Sequence, residues 1–301
     1  MRILVTGGAG FIGTNLCLKL LDQGHHVICV DISCPNITHQ NYDGHVVDIL
    51  GINKQIKVDQ IYHLACHASP PTYQIDPIHT IRTCVEGTIN VCEIAKFNNC
   101  PILFTSTSEI YGEPEISPQN ESYRGNVNCT GPRACYDEGK RMAETILFEY
   151  HRLHGVDIKI CRLFNTYGPF MNPEDGRVVS NFINQAIREE SMTIYGDGEQ
   201  TRSFCYIDDT INGILKLMKS KITGPVNIGN PHEISMKDLS IIITNLLEKE
   251  YNVCRKPLPI DDPTHRCPDI SLANKILNWD PKIELEEGLR ATIKYYESLR
   301  Y

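Results

Sequence analysis

The sequence predicts an α/β fold, with a doubly wound parallel sheet and a smaller α/β lobe towards the C-terminus. Short β-branched runs alternate with longer helix-like runs through the first half of the chain, the pattern of a parallel sheet with helices on both faces. The glycine-rich segment Gly7-Gly8-Ala9-Gly10-Phe11-Ile12-Gly13 directly follows the apolar run Ile3-Leu4-Val5 and precedes a helical pattern from Asn15 to Leu21. From Tyr167-Gly168-Pro169 to Gly198, glycines and prolines cluster and mark the entry into a second lobe.

The first elements read as a strand over 2–5, a tight turn and a helix over 11–23. Glycines let a backbone approach a pyrophosphate, and a helix N-terminus offers unpaired N–H groups and the positive end of its dipole. A second strand, 26–30, ends in Asp31, roughly 20 residues after the glycines, where an acid hydrogen-bonds an adenosine ribose. The unit is therefore a Rossmann-type dinucleotide site. Further strands are expected over 60–64, 101–106 and 157–162, and helices over 77–97 and 134–154, completing a dinucleotide-binding domain over 1–165. Ligands of open α/β sheets bind at the carboxyl ends of the strands, so Asp31, the Ala65 region, Thr105 to Glu109 and Asn165 should converge on one crevice. The second lobe, 166–301, is expected to hold a helix over 178–188, a strand over 192–195, and helices over 235–248 and 285–296. The strand-then-helix segment 205–220 is expected to return to the first domain.

Bulk properties narrow the partners. With 41% hydrophobic and 22% charged residues, disorder is excluded. A formal net charge of −8 argues against a nucleic-acid or anionic-membrane binder, so an anionic ligand must be held by local arginines and helix ends. The 13 cysteines are scattered with no C-x-x-C pair, and Cys17, Cys29 and Cys161 sit in apolar runs as small hydrophobes. Their odd number, and a first strand that leaves no room for a targeting segment, point to a reducing, cytoplasmic setting. No stretch approaches the roughly 18 apolar residues that span a bilayer. His63 and His67 flank a strand end without the helix or third ligand of a zinc site, so no metal is expected.

Tyr136 and Lys140 lie four apart in a helical run and share a face. An ammonium beside a phenol favours the phenolate, lowering its pKa and making the tyrosine a usable base. The strand before them ends in Thr105-Ser106-Thr107-Ser108-Glu109. Hydroxyls there can hold a substrate hydroxyl for proton and hydride removal, or can instead satisfy local backbone groups.

Taken together, the glycine segment, Thr107-Ser108-Glu109-Ile110-Tyr111-Gly112, the Tyr136/Lys140 pair and Arg162-Leu163-Phe164-Asn165-Thr166-Tyr167-Gly168-Pro169 resemble the extended short-chain dehydrogenase/reductase superfamily. Within it the chain resembles the UDP-glucuronate decarboxylases (UDP-xylose synthases). This rests on His67-Ala68-Ser69-Pro70-Pro71-Thr72-Tyr73, Gly131 to Arg141, Asp175 to Phe182, Gln200-Thr201-Arg202-Ser203-Phe204, Asp261-Asp262-Pro263, Arg266 and Pro268-Asp269-Ile270. The resemblance implies conversion of UDP-glucuronate to UDP-xylose. Tyr136 takes the sugar 4-hydroxyl proton as C4 gives hydride to NAD, and CO₂ leaves from the resulting β-keto acid before the hydride returns. It implies catalytic roles for Tyr136, Lys140, Thr107, Ser108, Glu109 and Arg266. NAD would contact Gly7, Gly10, Phe11, Ile12, Gly13, Asp31, Asp48, Ile49 and Leu64 together with Tyr136 and Lys140. Tyr73, Asn165, Arg177 and Arg202 would bind the UDP-sugar, and a homodimer would form through the two long helices.

The sugar-nucleotide 4,6-dehydratases carry an aspartate where Ser108 stands, so the acid for eliminating water is missing, and a 4-epimerase has no use for Arg266. These, and a non-catalytic dinucleotide-binding scaffold, are the alternatives. The chain departs from the decarboxylase pattern at Cys84 (usually Asn), at Cys66-His67 (usually Ser-Pro), at Cys267 and in the loop after Asp31. These departures bear on cofactor retention and on whether a 4-keto pentose is released.

Overall fold

Ile3 and Val5 bury on one side of the first strand and Leu4 on the other, as the period of a strand requires. A computed structural model, which describes residues 1–258 and 265–299, places this strand inside a seven-stranded sheet. Its strands are β1 (Arg2–Thr6), β2 (His26–Asp31), β3 (Tyr42–Val46), β4 (Gln60–His63), β5 (Ile102–Thr107), β6 (Ile158–Leu163) and β7 (Val226–Ile228). Their order is β7-β6-β5-β4-β1-β2-β3, and every pairing is parallel. The main helices are α1 (Phe11–Asp22), α2 (Thr88–Asn98), α3 (Ala134–His154), α4 (Val178–Ile187), α5 (Ile207–Lys219), α6 (Met236–Leu246) and α7 (Leu285–Ser298). On one face of the sheet Ile3 and Val5 share a core with Leu16 and Leu20 of α1 and Ile214 and Leu217 of α5. On the other, Leu4, Ile61, Ile102 and Ile160 pack with Val91 and Ile94 of α2 and Ala143 and Leu147 of α3.

Three departures from the sequence reading have local causes. The helix expected over 77–97 is broken: a helix over Pro77–Arg82 runs into a π-turn over Thr83–Gly87 before α2 begins. At Gly87 a Cβ would lie 2.8 Å from Ile49 Cγ2, so the extra residue is accommodated where a side chain is missing. Val226–Ile228, assigned by sequence to the second lobe, instead pairs with β6 as the edge of the main sheet. Strand β3, Tyr-Asp-Gly-His-Val, is almost wholly exposed and so lacks the apolar alternation that marks a strand.

After β6 the chain builds the smaller lobe. Met192–Tyr195 pairs in parallel with Val253–Lys256, and Thr201–Ser203 pairs antiparallel with Glu233–Ser235. Helix α5 packs on α1 and β6. Trp279 is buried nearby and donates from Nε1 to the Asp209 carbonyl at 3.0 Å. Among the described residues no helix is long and apolar enough to cross a membrane.

Candidate active site

A cleft of about 360 Å³ opens at the carboxyl ends of β1, β2, β4, β5 and β6. Gly7, Gly10, Phe11, Ile12 and Gly13 form one wall, with Asp31, Asp48, Ile49 and Leu64 around them. Gly7 has φ +74°, a left-handed conformation that favours glycine, and a Cβ there would lie 2.7 Å from the Ala65 nitrogen. A Cβ on Gly13 would come within 2.1 Å of the Gly7 oxygen. Helix α1 starts from Gly10 with no side chain capping it, so its first N–H groups are left for a ligand. Asp31 is oriented by Ala9 N–H at 2.9 Å and Ser33 N–H at 2.8 Å. The Asp48 carboxylate accepts from Leu50 N–H at 2.9 Å and meets His79 Nε2 at 2.8 Å.

The opposite end of the cleft carries Thr107, Ser108, Glu109, Tyr136 and Lys140. Tyr136 stacks on Tyr73, with ring centroids 5.3 Å apart and planes within 5°. Lys140 Nζ donates to the Thr105 carbonyl at 2.9 Å and lies 5.9 Å from the Tyr136 ring centroid. The sequence reading expected Lys140 to pull the phenol pKa down. In the structure burial holds the Tyr136 phenol well above its ordinary value; Cys66 and Glu109 add to the rise, while a hydrogen bond with the Thr107 hydroxyl and the charge of Arg177 oppose it. The reason is spatial: the ammonium is spent on a backbone carbonyl while the phenol sits in a dry wall.

Glu109 is clamped. Its carboxylate accepts from Arg133 Nη2 at 2.6 Å and from Arg266 through both terminal nitrogens, the Nη2 contact at 2.8 Å. Burial pushes this carboxyl up, but Arg266 and Arg133 outweigh it and leave it below its ordinary value. Glu109 is thus an anion that anchors Arg266 from the smaller lobe beside the end of β5. Asn165 and Arg177 also line the cleft, and Arg177 donates from Nη2 to the Ala68 carbonyl at 2.7 Å. Tyr73, Arg202 and Arg266 are buried and are not among the lining residues. The resemblance stretch Asp261-Asp262-Pro263 lies outside the described residues.

Over residues 3–229 the chain matches the NAD dependent epimerase/dehydratase family. It belongs to that family. It is 50% identical over 303 residues to UDP-glucuronic acid decarboxylase 6 of Arabidopsis thaliana, covering 96% of this chain and 87% of the relative. To UDP-glucuronic acid decarboxylase 1 of Danio rerio it is 47% identical over 306 residues, covering 98% and 72%. Among solved structures, UDP-glucose 4-epimerase of Thermotoga maritima superposes with a TM-score of 0.93 at 28% identity over 100% of both chains. UDP-glucuronic acid 4-epimerase of Bacillus cereus, in complex with UDP-glucuronic acid and NAD, superposes with a TM-score of 0.90 at 28% identity, covering 99% of this chain and 100% of that one.

In this member of the family, Arg133 bonds Glu109 and Asp137 lies within its electrostatic reach, and the sequence reading assigns neither a role. Both fall in the Gly131–Arg141 block, but Arg133 acquires meaning only through Glu109, 24 residues away. His63 is held between the Thr6 and Thr88 hydroxyls at 2.7 and 3.1 Å, and burial lowers its pKa to about 3. Burial raises the Asp137 carboxyl to about 7, with Glu109 adding to the rise and Arg133 opposing it. Its Oδ1 is buried with no hydrogen-bond partner among the described residues. A carboxyl raised above its unfolded value stabilises the fold while protonated, and that contribution is lost as pH rises through 7. Asp137→Asn should therefore raise the melting temperature more at about pH 8 than at about pH 5. Equal shifts at both would show that this carboxyl is not the titrating group.

Proposed function

We propose that this chain decarboxylates UDP-glucuronate to UDP-xylose with NAD. The observation that carries the reading is the Glu109–Arg266 pair, which brings a buried guanidinium from the smaller lobe to the end of β5, beside Thr107, at the end of the cleft that Tyr136 of α3 also lines. NAD, held at the glycine wall, would supply the hydride chemistry at C4 of the sugar. The Gly7–Gly13 wall, the free start of α1 and Asp31 fit its pyrophosphate and adenosine ribose, and Asp31 disfavours a 2′-phosphate. Tyr136 Oη, hydrogen-bonded by Thr107, moves the 4-hydroxyl proton, and Lys140 fixes the helix face on which Tyr136 stands. Once C4 is a ketone, the carboxylate on C5 is that of a β-keto acid, and CO₂ leaves with its electrons delocalised onto the ketone oxygen. Glu109 holds Arg266 in place for the carboxylate and for reprotonation at C5. A guanidinium suits this because its planar fork meets carboxylates through two donors.

Incubation with UDP-glucuronate, with and without added NAD, tests the reading by NMR and mass spectrometry of the products. CO₂ and UDP-xylose without net NADH are expected. UDP-galacturonate with no CO₂ would replace the reading by a 4-epimerase, and bound but unchanged substrate would replace it by a scaffold.

A further inference from the structure

Two cysteines meet in the cleft wall. Cys66 Sγ and Cys84 Sγ are 3.3 Å apart and hydrogen-bonded. Cys66 is half-buried and lines the cleft in the loop after β4, whereas Cys84 is buried in the π-turn. Beneath Cys84 lies α3: a Cβ on Gly139 would fall 3.0 Å from Cys84 Cβ and 3.1 Å from its Sγ. Gly139 adjoins Lys140, so the thiol pair rests on the helix that carries the base.

We propose that Cys66 and Cys84 form a peroxide-responsive dithiol in the wall of the active-site cleft, whose closure to a disulfide lowers turnover. Cys66 is the attacking sulfur. The hydrogen bond from Cys84 lowers its pKa against the effect of burial, with Lys140 and His79 adding positive charge, the setting of a reactive thiol. Its thiolate attacks one oxygen of hydrogen peroxide; the O–O bond breaks and the leaving hydroxide takes a proton to become water, giving a sulfenic acid on Cys66. Cys84 then attacks that sulfur. The S–O bond breaks, the S–S bond forms, and the hydroxyl departs with the Cys84 proton as a second water. Two electrons pass from the thiols to the peroxide, and a small dithiol reverses the change.

Closure brings the sulfurs from 3.3 Å to about 2.05 Å and draws the wall against the π-turn. Displacements of this size beside a reacting centre cost turnover heavily. Cys17 and Cys29 also face one another beneath Gly8, but both are fully buried and out of reach of the peroxide. They serve as an internal comparison.

The effect on turnover rests on the UDP-glucuronate reading; the cross-link does not. The full chain is treated with hydrogen peroxide, its remaining thiols are alkylated, and the digest is mapped by mass spectrometry. A Cys66–Cys84 linked peptide pair, lighter by two hydrogens, is expected, with no Cys17–Cys29 pair. Turnover should fall about tenfold or more and return with dithiothreitol. In C66S, which lacks the sulfur that takes the oxygen, peroxide should leave the variant's own rate at its untreated value, and in C84A no linked pair should form. Absence of the linked pair, a linked protein with full turnover, or the same reversible loss in both variants would overturn the proposal. Should the untreated chain not act on UDP-glucuronate, NAD affinity of the linked and reduced forms replaces turnover: a fall on linking supports the proposal and equality overturns it.

Discussion

Replacing Tyr136 by phenylalanine is expected to lower the rate of CO₂ release from UDP-glucuronate by about 10²–10⁴-fold, the contribution of a positioned general acid–base group. The substitution removes one oxygen and little else. The ring that stacks on Tyr73 remains, and the lost hydrogen bond is the one to Thr107. Lys140 keeps its bond to the Thr105 carbonyl, because that bond does not involve the phenol. The glycine wall, Asp31 and the start of α1 lie at the other end of the cleft and are untouched. NAD affinity, measured by calorimetry, and the melting temperature should therefore stay near those of the unmodified protein. A loss of rate accompanied by an equal loss of NAD affinity would make Tyr136 a wall residue. A rate within threefold or so of the original would remove it from the chemistry altogether, since even a weak proton-transfer role exceeds that.

The parts of this site that could be read in advance are those encoded by local spacing. A strand, a glycine turn and a helix follow one another within Arg2–Asp22, and Asp31 closes the next strand. Tyr136 and Lys140 announce themselves because residues four apart share a helix face. The Glu109–Arg266 pair has no such signature: the partners are 157 residues apart, and only the resemblance to a family brought Arg266 forward. Arg133, nearer in sequence, carries no signal either: an arginine at a helix start looks like any other surface charge until Glu109 is placed beside it. The π-turn also hides in sequence, because Thr83–Gly87 interrupts the backbone bonds of a helix without interrupting its apolar pattern. The shift of the Tyr136 phenol ran opposite to expectation for the same reason. Spacing gives the lysine's face but not what its head group bonds to, nor how dry the wall is.

Removing the Glu109 carboxylate should have the largest effect on stability. In Glu109→Ala, Arg133 and Arg266 are left facing one another in a largely buried place; the Arg266 side chain is only 7% exposed. Breaking a buried ion pair from one side costs about 3–5 kcal/mol, because the remaining charge stays desolvated without its partner. Urea unfolding should show this as a lower midpoint at an unchanged slope. The pH dependence supplies a second reading. The carboxyl's folded pKa lies below its ordinary value of 4.5, so its contribution is present above that pH and is lost as pH falls through the folded value. The gap between the unmodified protein and Glu109→Ala should therefore narrow on acidification. Glu109→Gln separates charge from shape: it keeps a hydrogen-bond acceptor for Arg266 but not the neutralising charge, and should fall between the two in stability. Should Glu109→Ala unfold at the same urea concentration as the unmodified chain, attraction and desolvation cancel at this pair. The clamp would then serve only to position Arg266, visible as lost turnover in a protein of full stability.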